Sequence, residues 1–148
     1  MKREIIITII CVLLIALWSY AAISKVIEFA TFGYQLKRQP LPIWSLKWLQ
    51  WGLPPLEITI AILINIQKTR KAGLILSSIL MTIFTLYVLI ALTGAFGEIP
   101  CSCAGLISKL GWKGHLVFNI LFTIMSYLGI VLLKYQKQKN HSKKTISI

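Results

Sequence analysis

Two cysteines one residue apart, Cys101 and Cys103, sit in the stretch GEIPCSCAGLISKLGWKGH, with His115 at its end. Thiol–disulfide chemistry needs these residue types: a thiolate to attack, a second thiol to leave, and an imidazole to pass the proton. A disulfide holds its Cα atoms about 4.4–6.8 Å apart. Two extended residue steps span at most roughly 6.6–7.2 Å, so a straight loop is marginal and a bend brings the pair into range. Pro100 and Gly105 suit such a bend. The ring so formed is small, and closing it removes little chain entropy, which makes it a poor staple. Strained, exposed disulfides are the easily reduced ones. The pair therefore reads as redox-active rather than structural. Lys109, Lys113 and a helix start near His115 favour a thiolate, while Glu98 opposes one.

Each of these residues also has a plainer reading. A histidine at the start of a membrane span is more often a capping or interfacial residue. Two thiolates and one histidine make three zinc ligands, short of a closed site, so no metal is expected. Cys11 lies among Ile, Val and Leu and reads as an inert core thiol. The chain has no aspartate, no phosphate-cradling glycine loop and no evident nucleophile triad.

The elements that must position the pair are apolar helices. Of 148 residues, 57% are hydrophobic and 14% charged, which leaves too little polar surface to cover a soluble core. Four apolar blocks cover residues 5–23, 48–66, 72–96 and 116–133. Each is near the roughly 20 residues a helix needs to cross the hydrocarbon layer. The second is the weakest, broken by Gln50, Pro54, Pro55 and Glu57. The sequence predicts an all-α integral membrane four-helix bundle with an extracytoplasmic CxC loop between helices 3 and 4. Residues 1–134 form that domain, and 135–148 form a basic, partly disordered cytoplasmic tail. The opening MKRE and its apolar run also resemble a signal peptide, with a poor cleavage site at Ser19-Tyr20-Ala21.

Charge sets the expected orientation. The net charge of +12 is carried in the gaps between apolar blocks, which argues against nucleic acid and for the positive-inside bias. Lys2, Arg3, Lys68, Arg70, Lys71 and the lysines of the tail outnumber the basic residues of the first and third loops. Both termini are expected in the cytoplasm of a bacterial inner membrane, with the cysteines outside, where disulfides persist.

Polar residues inside the apolar blocks are the remaining signal. Lys25 ends the first block and Glu57 opens the second on the same side, so the two are expected to be close. They read as a structural ion pair or as a polar floor beneath the cysteines, Glu57 then relaying protons. Lys25 and Glu28 also share a helix face, and the first helix is expected to run on to Gly33 and Pro40. The third span carries Ser78, Thr82 and Thr85 in a stripe, and the fourth carries His115, Asn119, Thr123 and Ser126. Such stripes face other helices in lipid. Trp44, Trp48 and Trp51 share one helix side and read as an interfacial anchor, a quinone-stacking platform being the sharper alternative.

These segments together resemble a known family. SYAAISKVIEFATF with Lys25 and Phe32, LPPLEI with Glu57, PCSCAG with Cys101, Cys103 and Gly105, and GWKGHLVFN with His115 and Asn119 are similar to the MauE family of methylamine utilisation proteins, within the DoxX-like group of small four-helix membrane proteins. The resemblance spans nearly the whole chain except its first residues and tail. Ser102 and Ala104 stand where glycine and phenylalanine are commoner, and Phe118 where relatives often have arginine. The resemblance implies an accessory redox role in maturing a disulfide-rich periplasmic dehydrogenase subunit, beside a thioredoxin-like partner.

The expectation is thus a membrane thiol–disulfide oxidoreductase that relays electrons through Cys101 and Cys103, with His115 as proton carrier and Lys25, Glu57 and Asn119 as polar support. Its partners would be the bilayer, a periplasmic thioredoxin-like protein and a disulfide-containing client. No cofactor follows from the residues. Quinone is a candidate acceptor, although quinone-linked disulfide generators typically use two cysteine pairs. The rival is a non-catalytic assembly factor that positions a periplasmic client.

Overall fold

The computed structural model describes residues 2–39, 41–94 and 111–146. The structured elements among them are all helices: α1 (Lys2–Ile27), α2 (Phe29–Lys37), α3 (Ile43–Asn65), α4 (Arg70–Leu92) and α5 (Gly111–Ile146). Cys101, Cys103 and the loop expected around them lie outside the described residues.

α1 packs on α3 and α5, and α4 packs on the same two helices. The shared interior holds Leu14, Trp18, Ile60, Ile64, Leu74 and Met81. Outside it, Ile9, Val12, Ile62, Ile83, Leu121 and Ile124 are exposed. Apolar surface on this scale marks contact with lipid or another apolar phase. The segments Arg3–Ile27, Arg70–Leu92 and Lys113–Gln136 are long and apolar enough to cross a membrane. The protein is an all-helical multi-pass membrane protein. α3 is as long as α4, at 23 residues, but Gln50, Pro54, Pro55 and Glu57 dilute its apolar character and it is not among the three.

Helix ends follow from local chemistry, and several differ from expectation. The first helix does not run straight to Gly33. Glu28 leaves helical geometry at φ −100° and ψ 38°, while Glu28 N–H still donates to Ser24 O and its carbonyl accepts from Phe32 N–H. The result is a kink with its hydrogen bonds kept. α2 is held against α3 by Gln50 Nε2 donating to Phe29 O at 3.1 Å and by the edge of Trp51 against Phe29. α3 starts at Ile43, with extended Pro42 as its cap, and runs through Pro54-Pro55. Two consecutive prolines remove the N–H groups that the carbonyls of Gln50 and Trp51 would otherwise use.

The turn from α3 to α4 is tightly bonded. Thr69 Oγ1 donates to Leu63 O, and Arg70 Nε donates to Ile64 O, which satisfies carbonyls that a helix end leaves unpaired. Gly73 lets the helices meet closely, since a Cβ there would sit 2.6 Å from the Ile64 backbone nitrogen. α5 continues to Ile146, so the backbone of the basic end is helical where a partly disordered tail is expected. Gln136 of α5 donates to Glu4 of α1 at 3.2 Å and ties the two helices at that end.

Candidate functional site

Lys25 lies in the last turn of α1. Its side chain folds back along the helix, as the tilt of helical Cβ atoms favours. Nζ donates to Ala21 O at 3.2 Å and to Glu57 Oε1 at 2.7 Å, and it lies 5.8 Å from the centre of the Phe32 ring. Glu57 is fully buried, and Lys25 is 11% exposed at its side chain. A buried charge needs such a partner. Glu28, three residues from Lys25, is exposed at the kink; the lysine pairs with α3 instead.

His115 and Asn119 lie one turn apart near the start of α5, and both are buried. The Asn119 amide nitrogen faces His115 Nε2 at 3.5 Å. Both residues line a cavity of about 50 Å³ that Lys25 and Glu57 also line, with Trp18, Met81, Phe84 and Phe118 among its apolar walls. The structure thus gathers Lys25, Glu57, His115 and Asn119 around one space. It lies toward the end of the helical assembly where α4 finishes and α5 begins. Two buried atoms of these cavity-lining residues, Glu57 Oε2 and His115 Nδ1, have no hydrogen-bond partner among the described residues.

Beneath the cavity runs a polar chain of which the residue pattern singles out only Ser126. Trp18 Nε1 donates to Ser77 Oγ at 2.9 Å, and Ser77 lies 3.1 Å from Ser126 Oγ. Trp18 also leans on Phe84, with ring centres 6.4 Å apart. A tryptophan in the middle of an apolar span, away from the interface where it is usual, is the signal that points to a buried N–H partner. The α4 stripe meets α5 as Thr85 against Thr123 at 3.1 Å and Thr82 against Tyr127 at 3.3 Å, while Ser78 turns back to Ile75 O.

The other singled-out residues lie elsewhere. Trp44, Trp48 and Trp51 are exposed along one side of α3, with Lys47 among them. Cys11 is buried in the apolar core. Lys113 is exposed at the start of α5. Among the described residues no group of three or more His, Cys, Asp or Glu side chains could hold a metal ion.

No curated protein and no solved structure matches the chain. Residues 3–132 match the family described as methylamine utilisation protein MauE, a span that takes in every residue lining the cavity, and the chain belongs to that family.

Proposed function

We propose that the chain is a four-span thiol–disulfide relay of the bacterial cytoplasmic membrane, with α3 as the additional span and both termini in the cytoplasm. Cys101 and Cys103 alternate between dithiol and disulfide and exchange with a periplasmic thioredoxin-like partner. In each exchange the attacking thiolate forms a new S–S bond and the electron pair of the old bond leaves on the other sulfur. Two exchanges move two electrons and two protons from one dithiol to the other disulfide. The relay passes them on to a second protein, a disulfide-containing client or a membrane acceptor such as quinone. The family's description connects its members with methylamine utilisation.

One observation carries the reading: the intramembrane Lys25–Glu57 pair, His115 and Asn119 converge near the end where α4 and α5 flank the cysteine segment. Ionisable groups at membrane depth are costly and mark functional positions. A scaffold whose only task is packing would be served by apolar residues there.

The test is to trap the partner. Single-cysteine variants, Cys101→Ser and Cys103→Ser, should accumulate a mixed disulfide with a thioredoxin-fold protein, and mass-tagging of native membranes should find the pair in both redox states. If neither variant traps a partner and the double variant retains full function, the relay is wrong and a non-catalytic assembly factor takes its place.

A further inference from the structure

Among the described residues, Glu57 and His115 each commit one polar atom to a protein partner and leave the other without one. Glu57 Oε1 is held by Lys25, while the buried Oε2 has no partner among the described residues. His115 Nε2 faces the Asn119 amide nitrogen, and its buried Nδ1 has none. An amide nitrogen only donates, so Nε2 is the acceptor and the neutral ring carries its proton on Nδ1. One orphan is thus an acceptor and the other a donor. Leaving a buried polar group unpaired is costly, and two such groups on residues of one cavity call for a shared partner.

Water fits. The cavity is about 50 Å³, and a water needs roughly 10–15 Å³ together with at least two polar partners. Leu17, Trp18, Met81, Phe84 and Phe118 give the space apolar walls, so its hydrogen bonds are concentrated on the polar groups.

We propose that this cavity is a hydrated proton-exchange site, in which water bridges Glu57 Oε2 and His115 Nδ1 and carries a proton between them. A proton arriving at Nε2, with Asn119 turning its amide oxygen to accept the new N–H, releases the proton on Nδ1 through the water to Oε2. The ring stays neutral and Glu57 becomes the carboxylic acid; the reverse step returns the proton. Lys25 and Tyr20 face the cavity from α1, Glu57 from α3 and His115 from α5, whereas α4 contributes only Met81 and Phe84. Lys25 anchors one carboxylate oxygen and so aims the other. The use of this proton by an attacking thiol rests on the relay proposed above; the bridged pair itself rests on the geometry.

The experiment is nitrogen-15 histidine NMR on the full chain in lipid nanodiscs. His115 and His141 are its two histidines, so His141, in the basic end of the chain, is an internal reference. The expected result is a neutral His115 ring protonated on Nδ1 with a cross-peak to water. Glu57→Gln should shift the His115 ring resonances and leave those of His141 in place. Lys25→Met with Glu57→Gln removes both charges together and should give the same shift if the single variant does not fold. Ala21→Leu adds bulk at the cavity wall while keeping all its polar groups, and should abolish the water cross-peak. A native chain without that cross-peak, or His115 resonances unmoved in the Glu57 variants, overturns the proposal. A cross-peak present while the cysteine variants trap no partner supports the hydrated pair and counts against the thiol relay.

Discussion

Lys25 Nζ and Glu57 Oε1 lie 2.7 Å apart, and the two residues come from helices separated in sequence by a kink and the short helix α2. Glu57 has no exposed surface, and Lys25 reaches it by folding back toward Ala21. The pair is therefore a tertiary clamp between α1 and α3, and its loss should be felt as stability before it is felt as chemistry.

Removing one partner should be worse than removing both. Glu57→Ala leaves a lysine ammonium uncompensated, and breaking a buried pair in this way costs roughly 3–5 kcal/mol. Lys25→Met with Glu57→Gln should recover most of that loss. Unfolding in mixed micelles, followed by helical signal, measures both. Equal losses in the single and double variants would show that the ion pair is not what joins the helices there.

The α3–α4 hairpin should be intolerant of bulk at Gly73. A Cβ at that position meets the Ile64 backbone, which cannot swing aside as a side chain can. Gly73→Leu should cost at least about 1–3 kcal/mol, the usual range for overpacking. Gly52, where an added Cβ meets nothing, is the control and should tolerate alanine with little change beyond helix propensity.

Trp18→Phe should keep most of the packing and lose the donor to Ser77. The expected cost is about 1 kcal/mol, the ordinary net value of a hydrogen bond. Ser77 still has Ser126 at 3.1 Å, which limits the damage. A double-mutant cycle between Trp18→Phe and Ser77→Ala should show positive coupling; additive effects would remove the bond from the account.

Cysteine labelling should separate three thiols into two classes. Cys11 is 4% exposed in the apolar core and should resist a membrane-impermeant alkylating reagent with or without reductant. If Cys101 and Cys103 form a periplasmic redox pair, their labelling in intact cells should rise on reduction. Labelling that ignores reductant, or requires permeabilised cells, would count against that placement.

The residues that were legible in the sequence are those that break a pattern. Lys25 and Glu57 stand out because charge is costly in apolar helices, and Thr85 and Thr123 because hydroxyl stripes in lipid must find each other. Long apolar runs likewise betray α1, α4 and the core of α5. What was not legible depends on tertiary packing. The kink at Glu28 arises where α2 turns to lay Phe29 against Trp51 and Gln50, a contact between segments far apart in sequence. Pro54-Pro55 is open to a helix start or a kink, yet α3 runs through it from Ile43, because packing against α1 and α2 outweighs the lost backbone bonds. Trp18 and Ser77 look like ordinary span residues until their helices meet. The cavity itself exists only where side chains from α1, α3, α4 and α5 converge.

Electroneutrality at depth has a further consequence. A lone ionised group displaced across the bilayer feels about 2.3 kcal/mol per 100 mV of membrane potential. Lys25 and Glu57 form a pair of opposite sign, so moving the two side chains together carries no net charge through that field. A voltage response at this pair therefore requires a proton to enter or leave it.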